Sequence, residues 1–166
     1  MSYDYSENIL VQESAGNLLR DELGWDVQFA YNTETLGKDG TFGRTSYNEI
    51  LLFRYFKKAL KEFNPWINDS QISEAQKILE QRLSTSSLLQ INEEKYFDGI
   101  PVTVKKPNGQ TETKKATVID FQNPEKNYFL AIKELKIHGD LYRRRTDIVG
   151  FVNGIPLLFV ELKKNT

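Results

Sequence analysis

Near the C-terminal end of the chain stand two acids and an amine whose types and spacing suit chemistry: Asp147, then Glu161 and Lys163 flanking Leu162. An Asp followed one strand later by Glu-x-Lys is a set suited to metal-dependent phosphodiester cleavage. Asp147 and Glu161 would hold Mg²⁺ with the Leu162 carbonyl and waters, because Mg²⁺ takes hard oxygen ligands and keeps several waters. Mn²⁺ is the expected substitute. The ion would supply a water of lowered pKa and offset charge on the scissile phosphate, and Lys163 would orient that water or offset the same charge. The spacing by itself more often marks a hairpin with charged, ion-paired ends and no metal.

The elements that must position these groups are legible. Two apolar runs, Ile148–Val152 and Ile155–Val160, flank Asn153-Gly154, a strong hairpin signal. Both runs are bulky on both faces, so the hairpin is expected mid-sheet. A two-residue turn would pair Val152 with Ile155 and send Asp147 and Glu161 to opposite faces. A three-residue loop, Val152-Asn153-Gly154, with Gly154 in the left-handed position, pairs Phe151 with Ile155 instead. Asp147 then lies opposite Phe159 and diagonal to Glu161, ~7–8 Å away. The second register is the expectation. With both acids at strand ends, alanine at either is expected to leave the fold nearly intact.

Three segments carry a resemblance to a known family. They are Ile119-Asp120-Phe121 with Asn123-Pro124-Glu125 and Asn127-Tyr128-Phe129; Arg144-Arg145-Thr146-Asp147-Ile148-Val149; and Phe151-Val152-Asn153-Gly154-Ile155-Pro156-Leu157 with Val160-Glu161-Leu162-Lys163. With Asn64-Pro65 after a helix, they resemble the N-terminal endonuclease domain of the restriction subunit of type I restriction-modification enzymes, within the PD-(D/E)xK nucleases. Thr146 stands where that family usually has Pro. The resemblance implies an α/β (α+β) fold, a mixed central β-sheet flanked by helices, over residues 1–166 with a helical insert at about 46–98. It implies that the C-terminal part of the core, including a helix bearing Gln and Tyr, lies beyond Thr166.

Functionally, the resemblance implies Mg²⁺-dependent cleavage of foreign, unmethylated double-stranded DNA. Cleavage would follow ATP-driven translocation by motor domains of the full-length subunit, in a complex with methyltransferase and specificity subunits. It also places Glu13, on the first helix, as an acid that helps organise the metal site. The alternative is a non-catalytic DNA-binding or subunit-assembly module of the same fold, whose DNA binding would depend on salt and not on metal.

Composition narrows the field. The chain has 166 residues, 39% hydrophobic and 27% charged, which suits one globular domain rather than disorder. A net charge of −1 argues against a general polyanion binder, so DNA contact must come from local basic clusters. Arg143, Arg144 and Arg145, one step before Asp147, are the best such cluster, since arginine forks suit phosphate. The absence of cysteine and a single histidine, His138, exclude a thiolate or His-cluster zinc site. No apolar run nears the ~18–20 residues that span a membrane, and no secretory signal opens the chain, so a cytoplasmic location is expected.

Elsewhere the periodicity predicts a helix over 7–23, with Ile9, Leu10, Ala15, Leu18, Leu19 and Leu23 inward, then a strand over Trp25–Tyr31. Residues 32–45, with Gly37, Gly40 and Gly43, read as a long loop. Ser46 and Glu49 read as a capping box opening a helix to about Phe63. Further helices are expected from Asp69 or Ser70 to about Leu83 and from Thr85 to Gly99. A lysine-rich hairpin is expected around Pro107-Asn108-Gly109-Gln110, and one strand over Tyr128–His138.

Overall fold

The computed structural model describes residues 7–81, 96–139 and 143–162. Two compact units divide the chain: Met1–Leu52 with Tyr128–Thr166, and Phe53–Asn127. The architecture is mixed α/β. Among the described residues no helix is long and apolar enough to cross a membrane.

The first unit holds α1 (Glu7–Asn17) with a wider turn at Leu18–Glu22, and a four-stranded mixed sheet. Its strands are β1 (Asp26–Phe29), β4 (Phe129–Lys133), β7 (Ile148–Val152) and β8 (Ile155–Val160), in the order β1-β4-β7-β8. β1 runs parallel to β4, and the other neighbours are antiparallel. A small antiparallel arm, β5 (Lys136–His138) with β6 (Arg143–Arg145), belongs to the same unit. The second unit holds α2 (Phe53–Phe63), α3 (Asp69–Gln81) and the hairpin β2 (Ile100–Lys105)–β3 (Thr111–Ala116).

β7 is buried along its whole length, as an uninterrupted apolar run requires. β8 is not mid-sheet: it is the edge strand among the described residues, with Leu157 and Phe159 exposed. Leu158 and Val160 pack instead on the cluster of Leu19, Ala131 and Ile148. Pro156 carries the reason, because a residue without an N–H is tolerated at edges and bulges.

The hairpin register also differs from the expected one. Val152 pairs with Ile155 across a two-residue Asn153-Gly154 turn, and both turn residues have positive φ (52° and 83°), as the primed hairpin turns require. The irregularity lies further along. Phe151 pairs with Pro156 while Gly150 pairs with Leu158, so Leu157 is the extra residue. Asn153 is buried and anchors the turn: its N–H donates to the Tyr128 carbonyl (2.9 Å), and its side-chain oxygen accepts from the Tyr128 N–H (2.8 Å).

Gly150 lets this hairpin close. A Cβ there would stand 2.8 Å from the Trp25 ring and 2.9 Å from the Leu158 Cβ. Gly150→Ala is therefore expected to destabilise the protein by about 1–3 kcal/mol through overpacking. A urea denaturation midpoint equal to that of the wild type would refute this packing.

Two helix expectations need correction. The packed face of α1 is Gln12, Ala15, Gly16 and Leu19, while Leu10, Leu18 and Leu23 are exposed. A polar residue on the buried face hid that stripe. α2 begins at Phe53, not Ser46. The Glu49 carboxylate turns back to the N–H and hydroxyl of Thr45, and Leu52 donates to the Gly154 carbonyl, which holds 46–52 as turns. α3 places Ile72, Ala75 and Leu79 inward as expected; Leu83 and most of the helix expected over 85–99 lie outside the described residues.

The strand expected over 128–138 breaks at Glu134, whose φ is 59°. The Glu134 N–H donates to the Asp147 carbonyl (3.0 Å), so the chain kinks beside the candidate ligand before continuing as β5.

In the second unit, Asn64 ends α2 by bonding both backbone groups of Thr117 (2.8 Å each). Lys57 and Lys61 both reach Asp69 (3.1 Å), and their hydrogen bonds hold its carboxyl below the usual range. The hairpin lysines likewise sit beside local acids: Lys106 and Lys114 flank Glu112, and Lys115 reaches Asp98.

Candidate active site

Beyond the last ladder pair, Ile148 with Val160, the next positions are Asp147 and Glu161. The bulge at Leu157 thus leaves each acid one residue past the same ladder pair at one end of the sheet, by a route other than the expected three-residue loop. Glu161 is exposed and stands 3.9 Å from Arg144, a surface pair that holds neither side chain tightly. Asp147 is half-buried and held at both oxygens. Oδ2 accepts from the Leu162 N–H (2.7 Å) and Oδ1 from the Gln12 amide (3.0 Å). Leu162 therefore meets Asp147 through its backbone N–H. Lys163 lies outside the described residues.

Two residues not singled out in the sequence join this site. Gln12, 8% exposed, donates from one nitrogen to both Asp147 Oδ1 and Glu134 Oε1, at 3.0 Å each. Those two oxygens thus lie within twice that distance of one another. Glu134 Oε2 receives the Arg145 Nε at 2.6 Å, and the Arg145 guanidinium lies 4.4 Å from the Tyr31 ring centre. Glu13 is exposed on α1, and its neighbour Gln12 is the one that meets Asp147. The missed signal is a single polar residue at the helical spacing of Ala15, Gly16 and Leu19.

The arginines form β6, opposite Lys136, Ile137 and His138 of β5, and all three are exposed. Arg145 and Arg144 stand beside Glu134 and Glu161; Arg143 opens the strand. His138 packs against Tyr47 with the rings tilted by 57° and their centres 5.0 Å apart.

Below the arm, Arg44 makes a doubly hydrogen-bonded ion pair with Glu34 (2.8 and 2.7 Å), and the side chains are 1% and 4% exposed. Arg44 also donates to the Lys136 carbonyl (3.1 Å) and the Glu49 carbonyl (3.0 Å), fixing the root of β5.

Among the described residues no three Asp, Glu or His side chains cluster closely enough to hold a metal by themselves. Mg²⁺ sites commonly use one or two carboxylates with several waters, so Asp147 and Glu161 are a donor set of suitable chemistry.

An α/β domain with an acid-bearing hairpin end and an arginine strand beside it is the class of structure seen here. The family described as "Type I restriction enzyme R protein N terminus" matches residues 4–166, and the chain belongs to it. Among curated relatives, the type I restriction enzyme HindI endonuclease subunit of Haemophilus influenzae is 28% identical over 145 residues, covering 85% of this chain. The provisionally named type I restriction enzyme MjaIXP endonuclease subunit of Methanocaldococcus jannaschii is 30% identical over 125 residues, covering 72% of this chain. The chain spans only 13% and 12% of those relatives' lengths.

Proposed function

We propose that this domain is the Mg²⁺-dependent nuclease of a type I restriction complex, with a PD-(D/E)xK core, cutting double-stranded DNA. The observation that supports this reading is the register of β7 and β8, whose ladder ends at Ile148 with Val160 and leads directly into Asp147 and Glu161. In this reading Asp147 and Glu161 hold the ion, with the Leu162 carbonyl as a further ligand. The ion supplies Lewis acidity and a water of lowered pKa. Lys163 orients that water or offsets charge on the phosphate, and Glu13 acts from α1. Arg143, Arg144 and Arg145 contact DNA phosphates through their guanidinium forks, Arg145 by the nitrogens that do not hold Glu134. ATP is used by motor domains of the full-length subunit. Methyltransferase and specificity subunits complete the assembly in the cytoplasm and direct it to unmethylated DNA.

In the assembled complex, Glu161→Gln is expected to leave ATP hydrolysis unchanged while DNA cleavage disappears. Lys163→Ala is expected to bind metal and cleave poorly. Cleavage at the wild-type rate by Glu161→Gln would instead favour a non-catalytic assembly or DNA-binding module.

A further inference from the structure

The Gln12 amide occupies an unusual position, donating both its hydrogens to two carboxylates. Carboxylates only accept, so the amide nitrogen and not its oxygen must face them. A buried amide with one acceptor can still swing; with two it is fixed. Asp147 is fixed in turn, because Gln12 takes one oxygen and the Leu162 N–H the other. Each oxygen keeps a lone pair free.

Glu134 is the far anchor of this arrangement. Its side chain is held by Arg145 at Oε2, which leaves Oε1 for Gln12. Its main chain is committed to the same place, since it adopts φ 59° and donates its N–H to the Asp147 carbonyl. A left-handed conformation in a non-glycine residue costs roughly 1–3 kcal/mol, and such strain concentrates at functional sites.

We propose that Gln12 is the positioning residue of the Asp147 carboxylate and that Glu134 anchors Gln12, so that together they fix the direction in which Asp147 presents its free lone pairs to a divalent cation. This rests on the metal-dependent nuclease reading above. Gln12 and Glu134 act through Asp147 and touch neither cation nor DNA. Partners that orient a ligating carboxylate are worth about 10–100-fold in metal affinity, and that is the size of effect assigned to them.

The test is Mn²⁺ titration of the full-length subunit by calorimetry, without nucleotide, with Asp147→Asn as the reference for loss of the site. Gln12→Met keeps the buried volume and removes the donor; it is expected to weaken Mn²⁺ binding about 10–100-fold with an unchanged far-ultraviolet spectrum. Glu134→Ala is expected to weaken it comparably, and the double variant no further than the weaker single one, because both act through one amide. A residue that merely fills space would lower the melting temperature and leave Mn²⁺ affinity alone. Gln12→Met and Glu134→Ala binding within twofold of the wild type, while Asp147→Asn loses binding, would overturn this inference and leave the nuclease reading standing. Wild type and Asp147→Asn binding alike would overturn the nuclease reading, and this inference with it.

Discussion

Asp147→Asn is expected to abolish DNA cleavage by the assembled complex, a loss on the order of 10²–10³ or more for a group that stabilises developing charge, while the domain stays folded. Asparagine keeps the shape of aspartate and removes the charge that a cation requires. Its oxygen can still accept from the Leu162 N–H, so one of the two bonds that hold Asp147 persists. The other, to the Gln12 amide, would meet a second amide, and its loss costs about 0.5–1.5 kcal/mol. Alanine at the same position is a different experiment. It leaves the Leu162 N–H without its acceptor and removes one of the two acceptors of the Gln12 amide, at roughly 1–3 kcal/mol each. The expectation that alanine at either acid spares the fold therefore suits exposed Glu161 and not half-buried Asp147. Nuclease assay and thermal melt on the pair Asp147→Asn and Asp147→Ala separate lost chemistry from lost packing. Cleavage retained by Asp147→Asn would remove Asp147 from the site.

The largest loss of stability is expected away from the acids, at Glu34. Its carboxylate and the Arg44 guanidinium are almost wholly enclosed, and both nitrogens facing it are bonded. Removing one partner of such a pair leaves a buried charge without compensation, which costs about 3–5 kcal/mol. Glu34→Ala is therefore expected to lower stability by that amount, measured by urea unfolding. The effect should reach the arginine strand as well. Arg44 holds the Lys136 carbonyl at the start of β5, and β5 carries the ladder that positions Arg143, Arg144 and Arg145. Glu34→Gln, which keeps the shape and an acceptor, should lose less. A Glu34→Ala variant as stable as the wild type would show that Arg44 finds another partner without cost.

These two sites differ in how plainly the chain announces them. The hairpin was readable because β-branched runs and an Asn-Gly pair admit few other structures. The burial of β7 followed from the same runs. The placement of the bulge did not, although Pro156 was the signal: a residue that cannot donate to the ladder marks an edge or an irregularity. Glu34 and Arg44 were hidden in a glycine-rich stretch, where two charges ten positions apart carry no periodicity. Gln12 was hidden for the opposite reason. It sits on a helical face whose other members are small or apolar, and a polar residue there reads as a flaw in the stripe. Glu134 interrupts what reads as one strand, Tyr128–His138, and no local pattern sets a non-glycine residue at positive φ. In each case the missing information was a tertiary partner rather than a local preference.

The measurement that bears most directly on the central claim is Mn²⁺ binding by calorimetry to the protein and to its Asp147→Asn and Glu161→Gln variants. A cation held by Asp147 and Glu161 at the end of β7 and β8 predicts saturable binding to the wild type that is lost in both variants, whose folds remain intact by circular dichroism. Binding that is absent from the wild type, or equal in all three proteins, would contradict the claim that these acids form a metal site.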